Sequence, residues 1–138
     1  MRSAFLLCGL LFLGCTTYRM PVESLRTQLE GASISPVHVQ GPMGGRYTYP
    51  ANDIRTITCF DKKGRPVELR NGPSIEARLT TRDGRRRILY FDRLMLRNDT
   101  LIGSPSRFAG DLVTKIPFAL IGTVEIQDGK KNFIYVER

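Results

Sequence analysis

The sequence has a single histidine, His38, and only three cysteines in 138 residues. These shortages exclude several chemistries. A zinc site of ordinary spacing draws on Cys and His, and the chain has no Cys-x-x-Cys and no second imidazole. A His-dependent catalytic triad would have to use His38, and Gly-x-Ser-x-Gly is absent. His38 lies among turn-forming residues and is expected on the surface of a loop. Gly41-Pro42-Met43-Gly44-Gly45-Arg46 is glycine-rich but lacks the Gly-Lys-Ser/Thr ending of a phosphate-binding loop, so a flexible loop is expected there. A calcium site needs clustered Asp and Asn, whereas the acidic residues here are spread one per turn. No metal and no cofactor is expected. Acidic charge is scarce: 13 Asp and Glu stand against 21 Lys and Arg, 16 of them Arg, for a formal charge of +8. Arginine can grip phosphate or carboxylate in two bonds, yet charge alone speaks to solubility and encounter rather than to function.

What is present begins with an address. Arg2 supplies a positive start, and the apolar run Phe5 to Leu13, interrupted by Cys8 and Gly9, is too short for the ~20 residues of a membrane-spanning helix. It fits a signal-peptide core instead. It ends in Phe12-Leu13-Gly14-Cys15, which resembles the lipobox of bacterial lipoproteins, with Phe12 standing where the family usually has Leu. The resemblance implies cleavage before Cys15 by signal peptidase II, and Cys15 as the diacylglyceryl-modified, N-acylated first residue. It also implies a Gram-negative cell envelope. Thr16, with no Asp after the cysteine, resembles outer-membrane sorting, and the lack of an acidic run favours the periplasmic face. Removing residues 1–14 leaves 124 residues carrying +7, enough for one domain with a modest core. Cys8 leaves with the leader and Cys15 takes lipid, so Cys59 remains alone and no internal disulfide can form. Within Ile57-Thr58-Cys59-Phe60, Cys59 is expected as a small buried residue rather than a reactive thiol.

The chain then divides into residues 15–52, comprising a tether at 16–20, a short helix at about 21–30 and a loop, and a β-domain over 53–138. Pro21 suits a helix start and Gly31 a helix end. Val22, Leu25 and Leu29 share one face, expected to pack on the domain rather than on the membrane. From Ile54 the pattern is β. Ile75, Ala77 and Leu79 face one way, Glu76 and Arg78 the other. Turns are expected at 61–64, at Asn71-Gly72, at 82–85 and at Asn98-Asp99, with a loop over 104–111. Asp128-Gly129-Lys130 is expected to close a last hairpin with residues 132–136. Arg86 to Asn98 reads as one long strand, or two joined by a bulge, because the apolar phase slips near Asp92.

From Pro66 to Val136 the succession Val67-Glu68-Leu69-Arg70-Asn71-Gly72, Ile75-Glu76-Ala77-Arg78-Leu79, Asp99-Thr100-Leu101-Ile102-Gly103 and Ile116-Pro117-Phe118-Ala119-Leu120-Ile121 resembles small SH3-like or Sm-like barrels. The expected fold is therefore mainly β, an antiparallel meander closing into such a barrel after one short helix. Sm-like barrels commonly bind RNA, but an exported, tethered chain does not meet it, so no nucleic-acid partner is expected.

Two candidate features follow. Asp92, flanked by Ile88-Leu89-Tyr90-Phe91 and Leu94-Met95-Leu96, is expected at a bulge facing water, the other reading being burial against Arg93 or another Arg. If alternate turns share an end, Lys62, Lys63, Arg82, Arg85, Arg86 and Arg107 form one basic rim, suited to anionic lipid, lipopolysaccharide phosphates or an acidic envelope protein. The expectation is a lipid-anchored binding module without catalysis. A structural subunit of an envelope complex would show instead an exposed apolar patch. A wall or glycan hydrolase would show two facing carboxylates.

Overall fold

Twelve short strands and one helix, in three antiparallel sheets, make up residues 16–107 and 112–137, which the computed structural model describes. Residues 1–15, with the expected leader and Cys15, residues 108–111 and Arg138 lie outside these described residues. In chain order the first elements are β1 (Thr17–Met20), α1 (Val22–Glu30), β2 (Ile34–Gln40), β3 (Arg46–Asn52), β4 (Thr56–Phe60) and β5 (Pro66–Arg70). There follow β6 (Ile75–Thr81), β7 (Arg86–Tyr90), β8 (Met95–Arg97), β9 (Thr100–Gly103), β10 (Thr114–Pro117), β11 (Ile121–Asp128) and β12 (Ile134–Glu137). The main sheet has the order β5-β4-β1-β11-β6-β7, and two three-stranded sheets have the orders β10-β9-β8 and β12-β2-β3.

The alternation in β6 sends Ile75, Ala77 and Leu79 into the main core, where they meet Ile57 and Cys59 of β4 and Val124 and Ile126 of β11. Leu25 and Leu29 of α1 join the same core, with Val22 packed against it, so the helix docks on the domain. Pro21 stands just before the first helical turn. A second, smaller core of Val37, Val39, Tyr49, Ala51 and Phe133 belongs to the sheet β12-β2-β3.

Four expectations are corrected. Residues 16–20 are not a tether: β1 is a central strand, paired along its length with β11 and through Arg19 with Phe60 of β4. Residues 31–52 are not a loop but the hairpin β2–β3, paired from Ile34↔Asn52 to Gln40↔Arg46. Its glycines form the turn, where Gly41 N–H donates to Gly45 O (2.7 Å) and Gly44 takes φ +81°, a conformation that glycine adopts without a Cβ clash. Of the two readings of 86–98, the single long strand fails: the chain divides at the phase slip near Asp92 into β7 and β8, joined by a 3-10 turn at Phe91–Arg93 instead of a bulge, and β8 lies in another sheet. Finally, β12 does not fold back on β11 but pairs with β2.

The main sheet is strongly curled. Arg70 ends β5 at the sheet's edge and Ile75 begins β6 four strands away, about 19 Å across a flat sheet. The connection between them reaches at most about 18 Å when fully extended, before any offset along the strands is counted. Curling brings Leu69 and Arg70 to the same groove as Ile75, Asp128 and Tyr18. The strand order nevertheless remains linear, and no strand pair closes the sheet into a barrel among the described residues.

Candidate functional site

Asp92 is fully buried, which corrects the expectation that it faces water at a bulge. The 3-10 turn aims it inward, between the small sheet and β7. Its partner is Arg107: Nη2 donates to Oδ1 at 3.1 Å and Nη1 to Oδ2 at 3.3 Å, both side chains being shielded from solvent. Two tyrosines of the small sheet complete the shell. Tyr49 OH donates to Oδ2 at 2.5 Å and Tyr135 OH to the same oxygen at 2.8 Å. Arg107 Nη1 also donates to the Tyr49 hydroxyl. The guanidinium lies over the Tyr90 ring, 3.8 Å from its centroid, with the Tyr49 ring at 5.1 Å. Arg93 is not the partner of Asp92 in the ion pair; it donates to Ser106 O at 2.7 Å. Beside the pair, Asn52 Nδ2 donates to Phe91 O (2.8 Å) and Leu94 O (3.0 Å), capping the backbone where the chain changes sheets.

This cluster is a strut between the two cores. A buried carboxylate is tolerable only when paired and hydrogen-bonded, and Asp92 is both. Burial first, and the Asp92 charge second, push the Tyr49 phenol far above the ordinary tyrosine range, so it stays a neutral donor. The other buried carboxylate, Glu76, is held by Lys131 Nζ at 3.1 Å and by Gln127 Nε2 at 3.0 Å. Donation to Tyr90 OH, ahead of the Glu76 contact, raises the Lys131 ammonium pKa. Each of these groups is engaged in holding elements together.

The basic rim is corrected on two counts. Arg107 is 3% exposed and belongs to the strut. The remaining residues are divided between opposite ends of the sheet. Lys62 and Lys63 share a groove with Thr16 and Thr17, at the start of β1. Arg82 donates its N–H to Leu120 O, just before β11 begins, so Arg82, Arg85 and Arg86 lie beside the start of β11. The two strands are antiparallel, with Thr17 opposite Gln127, so their starts lie roughly 20 Å apart along β11. The expected order of alternate turns fails because β5 lies at the sheet's edge and β4 faces the rest of the sheet, so β4 and β6 run in opposite directions.

Cys59 is buried as expected, and burial raises its thiol pKa. His38 is exposed as expected, but on strand β2, with Nδ1 2.9 Å from Thr48 Oγ1. Sequence reasoning missed Arg107's partnership and both tyrosines. The one available signal was a carboxylate inside an apolar run, which demands a buried cation without saying which. Comparison with protein-family models, with characterised proteins and with solved structures finds no significant match in any of the three.

Proposed function

We propose that the chain is a lipid-anchored protein of a Gram-negative cell envelope, held by acyl chains on Cys15 at the periplasmic face of the outer membrane, and that its β-domain is a binding module rather than an enzyme. The observation that carries the reading is the short apolar run Phe5 to Leu13 ending in Phe12-Leu13-Gly14-Cys15. The central strand β1 starts at Thr17, beyond Cys15, so cleavage before Cys15 leaves β1 whole. The binding role is supported by the use of the buried charges, since Asp92, Arg107 and Glu76 are all engaged in internal ties. The finer likeness, to SH3-like or Sm-like barrels, is supported by the curl that brings β5 over the start of β6. A second reading, a structural subunit of an envelope complex, is favoured by β12, an edge strand whose Ile134 and Val136 are 60% and 39% exposed.

The test is metabolic labelling with a radioactive fatty acid, in cells with and without an inhibitor of signal peptidase II. The expected result is an acylated protein that accumulates as its precursor under the inhibitor, with label abolished in Cys15→Ala. Export without acylation, or a mature N-terminus other than Cys15, would overturn the reading.

A further inference from the structure

If Cys15 carries lipid, the anchor has almost no slack. Only Thr16 separates it from the first residue of β1, and two peptide steps span at most about 7 Å. The start of β1 is therefore held close to the headgroup layer, and whatever surrounds that end of the sheet is within reach of the membrane.

What surrounds it is basic. On one side of Thr16 lies a groove of about 350 Å³ to which the turn between β4 and β5 contributes Lys62, Lys63 and Arg65. On the other lies a groove of about 370 Å³ lined in part by Arg70 and Lys130. Two carboxylates share these linings, and both are turned into their own loops. Asp61 accepts from the backbone N–H groups of Lys63 and Arg65 at 2.9 Å and from Arg65 Nε at 2.8 Å, contacts that hold its carboxyl below the usual range. Asp128 accepts from Ser74 Oγ at 2.7 Å and from the Lys130 N–H at 2.8 Å. Lys62, Lys63, Arg70 and Lys130 are exposed around them.

We propose that this end of the β-domain is a membrane-facing surface, at which Lys62, Lys63, Arg70 and Lys130 rest on anionic phospholipid headgroups because β1 is joined almost directly to the lipidated residue. The proposal rests on the lipid-anchor reading. At physiological ionic strength the screening length is about 8 Å, comparable with the span from Cys15 to Thr17, so these side chains lie inside the layer where surface potential acts. Each basic residue in that layer is worth about a fivefold change in partitioning. Two acyl-linked attachments fix where the domain is held, and the charges fix how it stands: Arg82, Arg85 and Arg86 then point away from the bilayer.

The experiment uses the full chain, acylated in cells, purified and reconstituted into vesicles. A fluorophore is placed on Lys63→Cys or on Arg85→Cys, Cys59 being buried and so protected from label. Vesicles are phosphatidylethanolamine with phosphatidylglycerol, or phosphatidylcholine alone, each with a nitroxide-headgroup quenching lipid. The expected result is strong quenching at position 63 and little at 85 in anionic vesicles. Quenching at 63 should fall several-fold in phosphatidylcholine, and also when Lys62→Glu and Lys130→Glu are added. Equal quenching at 63 and 85, or indifference to both lipid charge and the Glu variants, in a chain that is acylated and floats with the vesicles, would overturn this inference alone. A chain that is not acylated and does not float would overturn the anchor reading and this inference with it.

Discussion

The residue that most constrains this molecule is Asp92, because its charge is inside. Removing it strands the Arg107 guanidinium in the interior and leaves the Tyr49 and Tyr135 hydroxyls without their acceptor. Breaking a buried pair by deleting one partner costs about 3–5 kcal/mol, whereas exchanging both partners for apolar residues of similar volume is often neutral. Asp92→Ala is therefore expected to lower unfolding free energy by about 3–5 kcal/mol, and Asp92→Leu with Arg107→Met to recover most of that, both read from denaturant midpoints at unchanged slope. Survival of Asp92→Ala at wild-type stability would show that the pair is not a strut. Tyr49 sets a pH dependence. In the unfolded chain a tyrosine ionises near pH 10, while burial and the Asp92 charge keep the folded phenol protonated well above that. The raised group's contribution is complete below about pH 10 and is lost as pH rises beyond it, because the unfolded state alone then gains from ionising. Tyr49→Phe is expected to be less stable at neutral pH by about 1.5–3 kcal/mol for the lost hydrogen bond to a charged group, yet to lose less stability between neutral pH and strongly alkaline pH.

At the scale of elements, α1 and β1 show how short segments are placed by what they bury. The helix has nine residues, too few to persist alone in water, so its stability comes from the apolar face that it gives to the core. Leu25, with no exposed surface, is the anchor of that face. Leu25→Ala is expected to cost about 2–5 kcal/mol in thermal or denaturant unfolding, while Glu23→Ala, on the exposed side, should change it by less than about 0.5 kcal/mol. Equal small effects at both positions would mean that the helix face does not pack on the domain. β1 is shorter still. Its four residues have one fully buried side chain, Met20, yet it holds the middle of the main sheet because β11 and β4 both hydrogen-bond to it. The 3-10 turn at Phe91–Arg93 has the opposite role. It ends β7 and redirects the chain to β8, and Asn52 caps the two carbonyls exposed by that change of direction.

At the scale of the whole molecule, two cores of unequal size are joined through the ion pair of Asp92 and Arg107, and the charged surface is divided between the two ends of the main sheet. That division follows from topology. A hairpin's turn emerges at the end its first strand runs to, and because β4 rather than β5 is the inner strand of its hairpin, β4 and β6 run in opposite directions and send the two basic turns to opposite ends. The consequence is a molecule with a direction. One end starts at the residue after Cys15 and carries Lys62 and Lys63; the other carries Arg82, Arg85 and Arg86.

Local chemistry was legible in the sequence. The hairpin turns at 61–64 and 82–85, the alternation of Ile75, Ala77 and Leu79, the apolar face of α1 and the burial of Cys59 all depend on residues within a few positions of each other, and the chain states those directly. So does the predominance of antiparallel strands. What the sequence could not state were pairings between distant segments. β1 meets β11 across about a hundred residues, β12 joins β2 rather than its neighbour, and Arg107 finds Asp92 from a separate loop. A four-residue strand with one buried side chain has no periodic signal of its own, and a lone arginine after a strand looks like any solvated one. The tertiary structure decided these because their free energy comes from burial and from exchanging water for a specific partner, and both exist only once the remote segments have come together.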